Sequence, residues 1–150
     1  MNDVYLPKPV VIQERIQESS DVFTLHLDFV NPTDAKQYQV MPGQFNMLYA
    51  YGIGEVPISV VSDVDEAGPL AHSIRALGSV TQALSELQVG DTLGLRGPFG
   101  HGWPLASMQG KEIIIVTGGI GNAPMLSAIH HMINRPEQFG QLNIVHGIRN

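Results

Sequence analysis

The chain has 150 residues, of which 43% are hydrophobic, so it is long enough for one domain with a core, or for one small domain and part of another. Only 15% of the residues are charged, the net charge is −6, and the eight lysines and arginines are scattered, which argues against nucleic-acid binding. The chain has no cysteine, so disulfides and thiolate metal sites within it are excluded, and no apolar run is long enough to span a bilayer.

The first part of the chain predicts short strands joined by turns. A first strand is expected at residues 10–16, and "DVFTLHLDFV" then alternates with a period of two, as in a half-buried strand. The large apolar side chains that share one face of this strand are Phe23, Leu25, Leu27 and Phe29. Residues 31–44 are predicted to be a turn-rich connection with a tight turn at Pro42-Gly43.

Further strands and one helix complete this part. "FNMLYAY", "PISVVS" and "LAHSIRAL" predict strands, and "TLGLRG" predicts the last one. Between them "SVTQALSEL" predicts a short helix, since apolar residues recur at helical spacing at Val80, Ala83, Leu84 and Leu87. Strands and turn signals at this spacing indicate a small antiparallel barrel or sandwich.

The pattern changes after about residue 105. "KEIIIVT" is a continuous apolar run, typical of a parallel strand that is buried on both faces. A glycine-rich turn, a helix and the strand-like "QLNIVHG" follow, and the helix has an apolar stripe of Met125, Ala128, Ile129, Met132 and Ile133. One such βαβ unit cannot bury both faces of a sheet, so we expect a fragment of a longer protein or a second chain that completes the sheet.

Three segments are candidates for ligand binding, and each also has a purely structural explanation. The loop at residues 117–121 between strand and helix suits a phosphate group, or is simply a tight turn. "GSVT" at residues 78–81 brings hydroxyls to a helix start, for a phosphate or for helix capping. "PIS" at residues 57–59 would pack against a polar ring and hydrogen-bond its edge, or is a kinked core strand.

The six histidines form no metal-ligand set and no nucleophile–base pair, so no catalytic residue and no metal site is predicted.

Five short motifs, in this order, resemble a known family: "PGQF", "PIS", "GxxT", "RGPFG" and "GGIGxAP". They resemble the ferredoxin–NADP reductase superfamily over nearly the whole chain. The likeness is strongest to the group that holds the gamma subunit of NiFe hydrogenase/sulfhydrogenase, the electron-transfer subunit of dihydroorotate dehydrogenase and the B subunit of anaerobic sulfite reductase.

The resemblance implies an antiparallel, flavin-binding β barrel with one short helix over residues 1–105. It implies that residues 106–150 are the first βαβ unit of a truncated α/β NAD(P)-binding domain. The FAD site that it implies comprises Pro57, Ile58, Ser59, Ile74, Arg75, Gly78, Ser79, Val80 and Thr81. The NAD(P) site that it implies comprises Thr117, Gly118, Gly119, Ile120, Gly121, Asn122, Ala123 and Pro124.

One position departs from the family pattern. The family arginine that pairs with the flavin pyrophosphate corresponds to Val56 here. A buried diphosphate still needs donors or cations, so we predict that Arg75 takes that role with help from Thr81 and loop amides, and that Arg96 is the second choice.

The resemblance implies an FAD-containing, NAD(P)H-linked electron-transfer subunit that works with iron–sulfur or hydrogenase-type partner subunits in the cytoplasm. A [2Fe–2S] centre is expected only in a missing C-terminal part or in a partner. If the chain is complete at Asn150, it is expected to bind NAD(P)H poorly and to hold no cluster. The alternative is a non-catalytic assembly or docking module that keeps the barrel but not the chemistry.

Overall fold

The computed structural model describes residues 5–148, and six strands of this range form one antiparallel sheet. In chain order the strands are β1 (Lys8–Gln17), β2 (Val22–Phe29), β3 (Phe45–Ala50), β4 (Gly54–Ser59), β5 (Leu70–Arg75) and β6 (Thr92–Phe99). Their order in the sheet is β4-β3-β6-β1-β2-β5, so β4 and β5 are its two edges. The sheet curls into a barrel because the Val61 N–H, just after β4, donates to the Ala71 carbonyl of β5 at 2.9 Å.

The core lies inside this barrel. The side chains of β2 that the alternation predicted to share one face point into it. Phe23, Leu25 and Leu27 are at most 1% exposed, and they pack with inward residues of the other strands. Thr24 on the other face is also buried, since its hydroxyl bonds Ser73 Oγ at 2.8 Å. Burial of this apolar set is the main stabilising contribution to the barrel.

Two short helices accompany the barrel strands, α1 (Pro32–Gln37) and α2 (Ser79–Glu86). The second was predicted from its apolar spacing, whereas α1 lies inside the segment predicted to be a turn-rich connection. It forms because the Asn31 side chain accepts a hydrogen bond from the Thr33 N–H at 2.9 Å and Pro32 occupies the first turn. Both features stabilise the start of a helix. The composition of the segment indicated only turns, because asparagine and proline are common in both turns and helix starts.

A second sheet follows the barrel. It consists of two parallel strands, β7 (Ile113–Gly118) and β8 (Leu142–Gly147), joined through the helix α3 (Ala123–Ile133). Among the described residues β7 is buried on one face only: Ile113 and Ile115 are buried against α3, but Ile114 is 68% and Val116 73% exposed, as expected of a single βαβ unit. Ile133, placed in the apolar stripe, is 56% exposed because it is the last residue of α3. The βαβ unit itself is present as predicted.

The Pro-Gly turn and the C-terminal end of the barrel contact the start of α3. The Gly43 N–H donates to Ser127 Oγ at 3.0 Å, and Trp103 Nε1 donates to the Pro124 carbonyl at 3.0 Å. Gly43 has a φ of +99°, and a side chain there would collide with the Trp103 indole. The turn therefore needs glycine for its conformation and for the close approach of Trp103.

The loop after β4 joins the barrel to the other end of α3. His130 Nδ1 donates to the Val61 carbonyl at 2.9 Å, since a carbonyl can only accept, and Arg135 Nη1 donates to Asp63 Oδ2 at 2.8 Å. Asn134 Nδ2 donates to the same Asp63 oxygen at 2.9 Å. The sequence gives no sign of this contact of His130, because its partner lies 69 positions away.

The predicted domain boundary between residues 105 and 106 falls within a short 3-10 helix, Leu105–Met108, between the two sheets. The division into domains 1–105 and 106–150 stays a prediction, and its outermost residues, 1–4 and 149–150, lie outside the described range. None of the described helices combines the length and the apolar character that crossing a membrane requires.

Replacing Asp63 with alanine is expected to lower the free energy of unfolding by about 1–2 kcal/mol at pH 7, because Arg135 loses a charge-assisted hydrogen bond. Burial favours the neutral carboxyl, but the bonds from Arg135 and Asn134 outweigh it and hold the pKa of Asp63 below its ordinary value. Its contribution is therefore present above about pH 4 and is lost as the pH falls through the lower folded value.

Urea unfolding at pH 7 and at pH 2.5, on the order of a unit or more below an ordinary Asp pKa, checks this expectation. The difference between the Asp63→Ala variant and the parent should shrink at the lower pH. Glu137→Ala, which removes an exposed carboxylate from the segment after α3, serves as the control and should change little at either pH. An equal loss for Asp63→Ala at both pH values would contradict the ion-pair explanation.

Candidate functional site

A cleft of ≈ 790 Å³ opens where the end of the barrel strand β5 faces the carboxyl ends of β7 and β8. Its walls comprise Arg75, Gly118, Gly119, Gly147 and Ile148. Arg75 belongs to the predicted FAD site, and Gly118 and Gly119 belong to the predicted NAD(P) site. The fold thus brings together parts of two predicted sites that are more than 40 positions apart in the sequence, as their residue numbers show.

The glycine loop between β7 and α3 exposes its backbone. Gly119 has a φ of +52°, a conformation that favours glycine. By contrast, Gly118 and Gly121 have ordinary backbone angles, and a Cβ would meet nothing closer than the Gly147 carbonyl oxygen at 3.8 Å. The protein's own packing does not require glycine at those two positions, so the missing side chains leave open space at the loop.

The remaining residues of this loop surround the turn. Thr117 Oγ1 is 2.8 Å from His146 Nδ1 on the neighbouring strand. Ile120 is 46% exposed, and Asn122 Oδ1 accepts a long 3.4 Å bond from the Thr117 hydroxyl. Ala123 and Pro124 form the first turn of α3. His146 was not selected from the sequence, because only the parallel pairing of β7 and β8 sets it beside Thr117.

The "GSVT" segment lies where β5 leads into α2. Gly78 precedes the helix with a φ of −127°, and a Cβ there would meet no atom within 4 Å. No side chain caps the start of α2, so its first N–H groups keep their capacity to donate to an anion. Ser79 is exposed, and Val80 packs against Gly54 at the start of β4, which sets the helix start beside the strand that carries the Pro-Ile-Ser segment.

Thr81, predicted to assist the diphosphate, uses its hydroxyl within the protein. Thr81 Oγ1 accepts from the N–H groups of Leu77 at 3.0 Å and Gly78 at 2.9 Å, and it donates to the Gly78 carbonyl at 3.0 Å. A hydroxyl has one proton and two lone pairs, so these three bonds use its capacity. Thr81 therefore shapes the loop at the helix start, and its assistance to the diphosphate stays a prediction.

Arg75 lies in the cleft but already has an anionic partner. Arg75 Nε donates to Asp21 Oδ2 at 2.6 Å, and the Arg75 side chain is 48% exposed. The hydrogen bond from Arg75 lowers the pKa of the Asp21 carboxyl, so Asp21 is charged at neutral pH. Sequence reasoning missed Asp21, because the two residues are 54 positions apart and meet only through the pairing of β2 with β5.

Arg96, the second candidate cation, is held by Glu55. Both Glu55 oxygens accept from the Arg96 guanidinium, one of them from Nε at 2.7 Å, and the guanidinium also lies over the Phe99 ring at 5.2 Å. This bidentate pair lowers the pKa of Glu55 and raises the pKa of Arg96. Arg96 thus stiffens the β3–β4–β6 side of the barrel, with a carboxylate next to Val56.

The Pro-Ile-Ser segment forms the end of β4, which is an edge strand. Pro57 pairs with Met47 of β3, and its missing N–H is tolerated because β4 has a neighbour on one side only. Ile58 is half-buried and packs partly against the core. The Ser59 carbonyl accepts from His72 Nδ1 at 3.0 Å, and the Ser59 hydroxyl has no partner among the described residues.

Ile74, predicted to contact FAD, has no solvent exposure. Its side chain belongs to the core of the barrel because it points inward from β5, while Arg75 beside it points outward. The place of Ile74 in the FAD site stays a prediction, and its side chain is enclosed in the core of the barrel.

The chain resembles known proteins in sequence. Residues 9–103 match the family model of the oxidoreductase FAD-binding domain. The sulfhydrogenase 1 gamma subunit of Pyrococcus furiosus is 33% identical over 121 residues, which cover 81% of this chain and 41% of that protein. A probable dihydroorotate dehydrogenase B (NAD(+)) electron transfer subunit of Methanocella arvoryzae is 34% identical over 119 residues, covering 79% and 41%. The chain spans about two fifths of the length of these curated relatives.

Solved structures share the fold at lower identity. Ferredoxin-NADP+ reductase from Plasmodium falciparum matches with a TM-score of 0.79 and 18% identity over 96% of this chain and 60% of that chain. A ferredoxin NADP+ reductase from Neisseria gonorrhoeae matches with a TM-score of 0.74 and 24% identity over 92% and 56%. The predicted fold, an antiparallel barrel followed by the start of an α/β domain, is confirmed, as is the resemblance drawn from the sequence motifs.

Proposed function

The chain belongs to the oxidoreductase FAD-binding domain family, and from that we propose that it is an FAD-containing, NAD(P)H-linked electron-transfer subunit of a multi-subunit oxidoreductase. The names of its relatives support this proposal, since they are a sulfhydrogenase gamma subunit and an electron transfer subunit. Iron–sulfur groups would belong to partner subunits or to a further segment, because the chain has no cysteine to hold them. A cytoplasmic location stays a prediction.

One observation carries the proposal: Arg75 at the end of β5 and the glycine loop after β7 line the same cleft. Bound FAD would accept a hydride from NAD(P)H and pass its electrons on singly, which is chemistry that the cofactor supplies. The protein's part is to hold both groups and to bring them together. No acid–base residue is required for that part.

The start of α2, which follows Arg75 in the chain, offers donors for a flavin diphosphate. The first N–H groups of α2 lack a side-chain cap, and Gly78 leaves open space beside them. An anion at this helix start gains from the free N–H groups and from the helix dipole. Arg75 would add a guanidinium donor, and the Ser59 hydroxyl, which has no partner among the described residues, would bond the edge of the ring.

The second side of the cleft fits a pyridine nucleotide. Gly118 and Gly121 leave open space, and the N-terminus of α3 follows the loop directly. A nucleotide pyrophosphate would approach this backbone as it does at other strand–glycine loop–helix junctions. The pair formed by Thr117 and His146 offers polar atoms at the carboxyl ends of β7 and β8.

Purified protein incubated with FAD tests the proposal. After removal of unbound cofactor, the protein should be yellow, with one FAD per chain, and the visible absorbance should fall when NADH or NADPH is added without oxygen. A yellow protein that dithionite bleaches but neither pyridine nucleotide does would limit the proposal to FAD binding. A colourless protein would overturn it.

A second function has a specific observation in its favour. The family arginine is absent at Val56, and both candidate replacements already form ion pairs, Arg75 with Asp21 and Arg96 with Glu55. A chain that no longer holds a diphosphate would keep the barrel as a docking module for a larger complex. The absorbance experiment separates the two, since the docking module would stay colourless at saturating FAD.

The Asp21→Ala variant is expected to bind FAD about two- to fivefold more tightly than the parent. Asp21 competes with a diphosphate for the Arg75 guanidinium, and the gain is small because an exposed ion pair of this kind is screened by solvent. Flavin fluorescence quenching at low and high salt measures the change, which should be smaller at high salt.

The matched control for this variant is Asp34→Ala, which removes the carboxylate of another surface ion pair, Lys8–Asp34, away from the cleft. It should leave the FAD dissociation constant unchanged. Weaker FAD binding by Asp21→Ala would contradict the competition, since it would mean that the ion pair helps to hold Arg75 in place for the ligand.

A further inference from the structure

A chain of hydrogen bonds runs through the interior of the barrel and ends at Ser59. The Tyr38 hydroxyl is 2.8 Å from Asn46 Oδ1, Asn46 Nδ2 is 3.3 Å from His72 Nε2, and His72 Nδ1 is 3.0 Å from the Ser59 carbonyl oxygen. Asn46 and His72 have no solvent exposure. We call Tyr38, Asn46 and His72 the buried relay.

The chemistry of the groups fixes the direction of every bond. The Ser59 carbonyl can only accept, so His72 carries its proton on Nδ1, and Nε2 is left to accept from the Asn46 amide. Asn46 Oδ1 then accepts from the Tyr38 hydroxyl. Burial lowers the pKa of His72 to about 4, so the imidazole is neutral at pH 7, as this arrangement requires.

The relay connects parts of the barrel that the strand ladder leaves weakly joined. Ser59 ends the edge strand β4, and His72 lies on β5, the opposite edge of the sheet. The bond from the His72 side chain to the Ser59 carbonyl therefore links the two edges of the sheet. A Cβ at Gly97 would clash with Asn46 Oδ1, so β6 also leaves room for the relay.

Three polar side chains in this position need an explanation, because an apolar side chain would fill the same volume without any requirement for partners. We propose that the relay is a positioning device for the flavin site: it fixes the backbone of Ser59, so that the Ser59 hydroxyl and the adjacent Ile58 are held ready for the edge and face of the flavin ring. This inference rests on the proposed function for its ligand. His72 is a positioning residue in this account and does not contact the ligand.

Two substitutions at one position test the proposal. In His72→Asn the side-chain amide nitrogen takes the place of Nδ1, so the donor to Ser59 is kept and the bond to Asn46 is lost. In His72→Gln the amide oxygen Oε1 reaches the place of Nε2 and accepts from Asn46 Nδ2, so the bond to Asn46 is kept and the donor to Ser59 is lost. Each variant breaks one link of the relay, and thermal melting of both shows whether they lose similar stability.

If the relay positions Ser59, His72→Asn should keep the parent's FAD absorbance maxima and dissociation constant. His72→Gln should shift the flavin spectrum and weaken FAD binding about fivefold, the equivalent of one hydrogen bond. Tyr38→Phe, which removes only the far end of the relay, should behave like His72→Asn. Equal effects of His72→Asn and His72→Gln on the flavin, or no effect of either, would overturn the proposal and leave the relay a purely structural feature.

A flavin-independent measurement separates failure of this inference from failure of the proposed function. The carbonyl ¹³C chemical shift of Ser59 reports its hydrogen bond directly, and it should move in His72→Gln and stay near the parent's value in His72→Asn. If that pattern holds but the parent binds no FAD, the relay positions Ser59 and the proposed ligand is wrong. If the shift is the same in the parent and in His72→Gln, the relay does not hold Ser59.

Discussion

The Arg75→Ala variant is expected to bind FAD roughly 10- to 100-fold more weakly than the parent, the equivalent of one charge-assisted hydrogen bond at a diphosphate. Arg75 lies in the cleft beside the glycine loop. It is the cation best placed to replace the family arginine, whose position is occupied by Val56 in this chain. Its loss also leaves Asp21 as an uncompensated negative charge near the ligand. Fluorescence titration of the purified variant with FAD measures the change.

Two controls separate these contributions. Lys111→Ala removes a positive charge from an exposed position in the turn before β7 and should leave FAD binding unchanged. The double variant Arg75→Ala/Asp21→Ala removes both the cation and the repulsive carboxylate, so it should bind FAD less weakly than Arg75→Ala alone. Unchanged FAD occupancy in Arg75→Ala would exclude the guanidinium from the site.

The Gly78→Asp variant should lose FAD binding by about 100-fold while the fold stays as stable as the parent or becomes slightly more stable. Aspartate at the position before a helix accepts hydrogen bonds from the N–H groups of the first turn, and its negative charge interacts favourably with the helix dipole. The variant should therefore stabilise α2 by a few tenths of a kcal/mol. The same carboxylate fills the open space beside the helix start and repels a diphosphate. Opposite signs for stability and for binding are therefore expected.

Chemical denaturation and an FAD titration of the same preparation check both signs. Gly68→Asp is the matched control, because a Cβ at Gly68 also meets nothing within 4 Å and the added charge lies in the loop before β5. It should leave FAD binding unchanged. A Gly78→Asp variant that keeps the parent's FAD affinity would show that the helix start is only a capped structural turn, the alternative that the sequence left open.

Patterns that repeat along the chain made most of the fold predictable. The period-two alternation of β2 and the helical spacing of α2 report burial directly, and the motifs in their order indicate the family. The helix α1 was not predicted, because its start depends on one hydrogen bond to the Asn31 side chain and not on an apolar stripe. Which face of β7 is exposed could not be predicted, because apolar residues alone do not indicate whether another element covers them.

The parts of the candidate site that could be predicted from the sequence are those that contain glycine. Gly78, Gly118 and Gly121 stand out in the sequence, and the structure leaves space at each of them. The partner of Arg75 and the link from His72 to Ser59 were not predictable, because each joins residues of different strands whose register follows from the folded barrel. The hydrogen bonds of the Thr81 hydroxyl within the loop before α2 and the enclosure of the Ile74 side chain in the core were not predictable for the same reason.

An FAD titration followed by the amide ¹H–¹⁵N NMR spectrum tests the central claim most directly, that this cleft is the FAD site. We expect saturable shifts at one FAD per chain for the amides of Ser59, Arg75 and residues 78–81. Little change is expected in α1, which follows the end of β2 opposite the Arg75 pair. Saturable shifts that leave these residues unmoved, or a spectrum that FAD does not change, would contradict it.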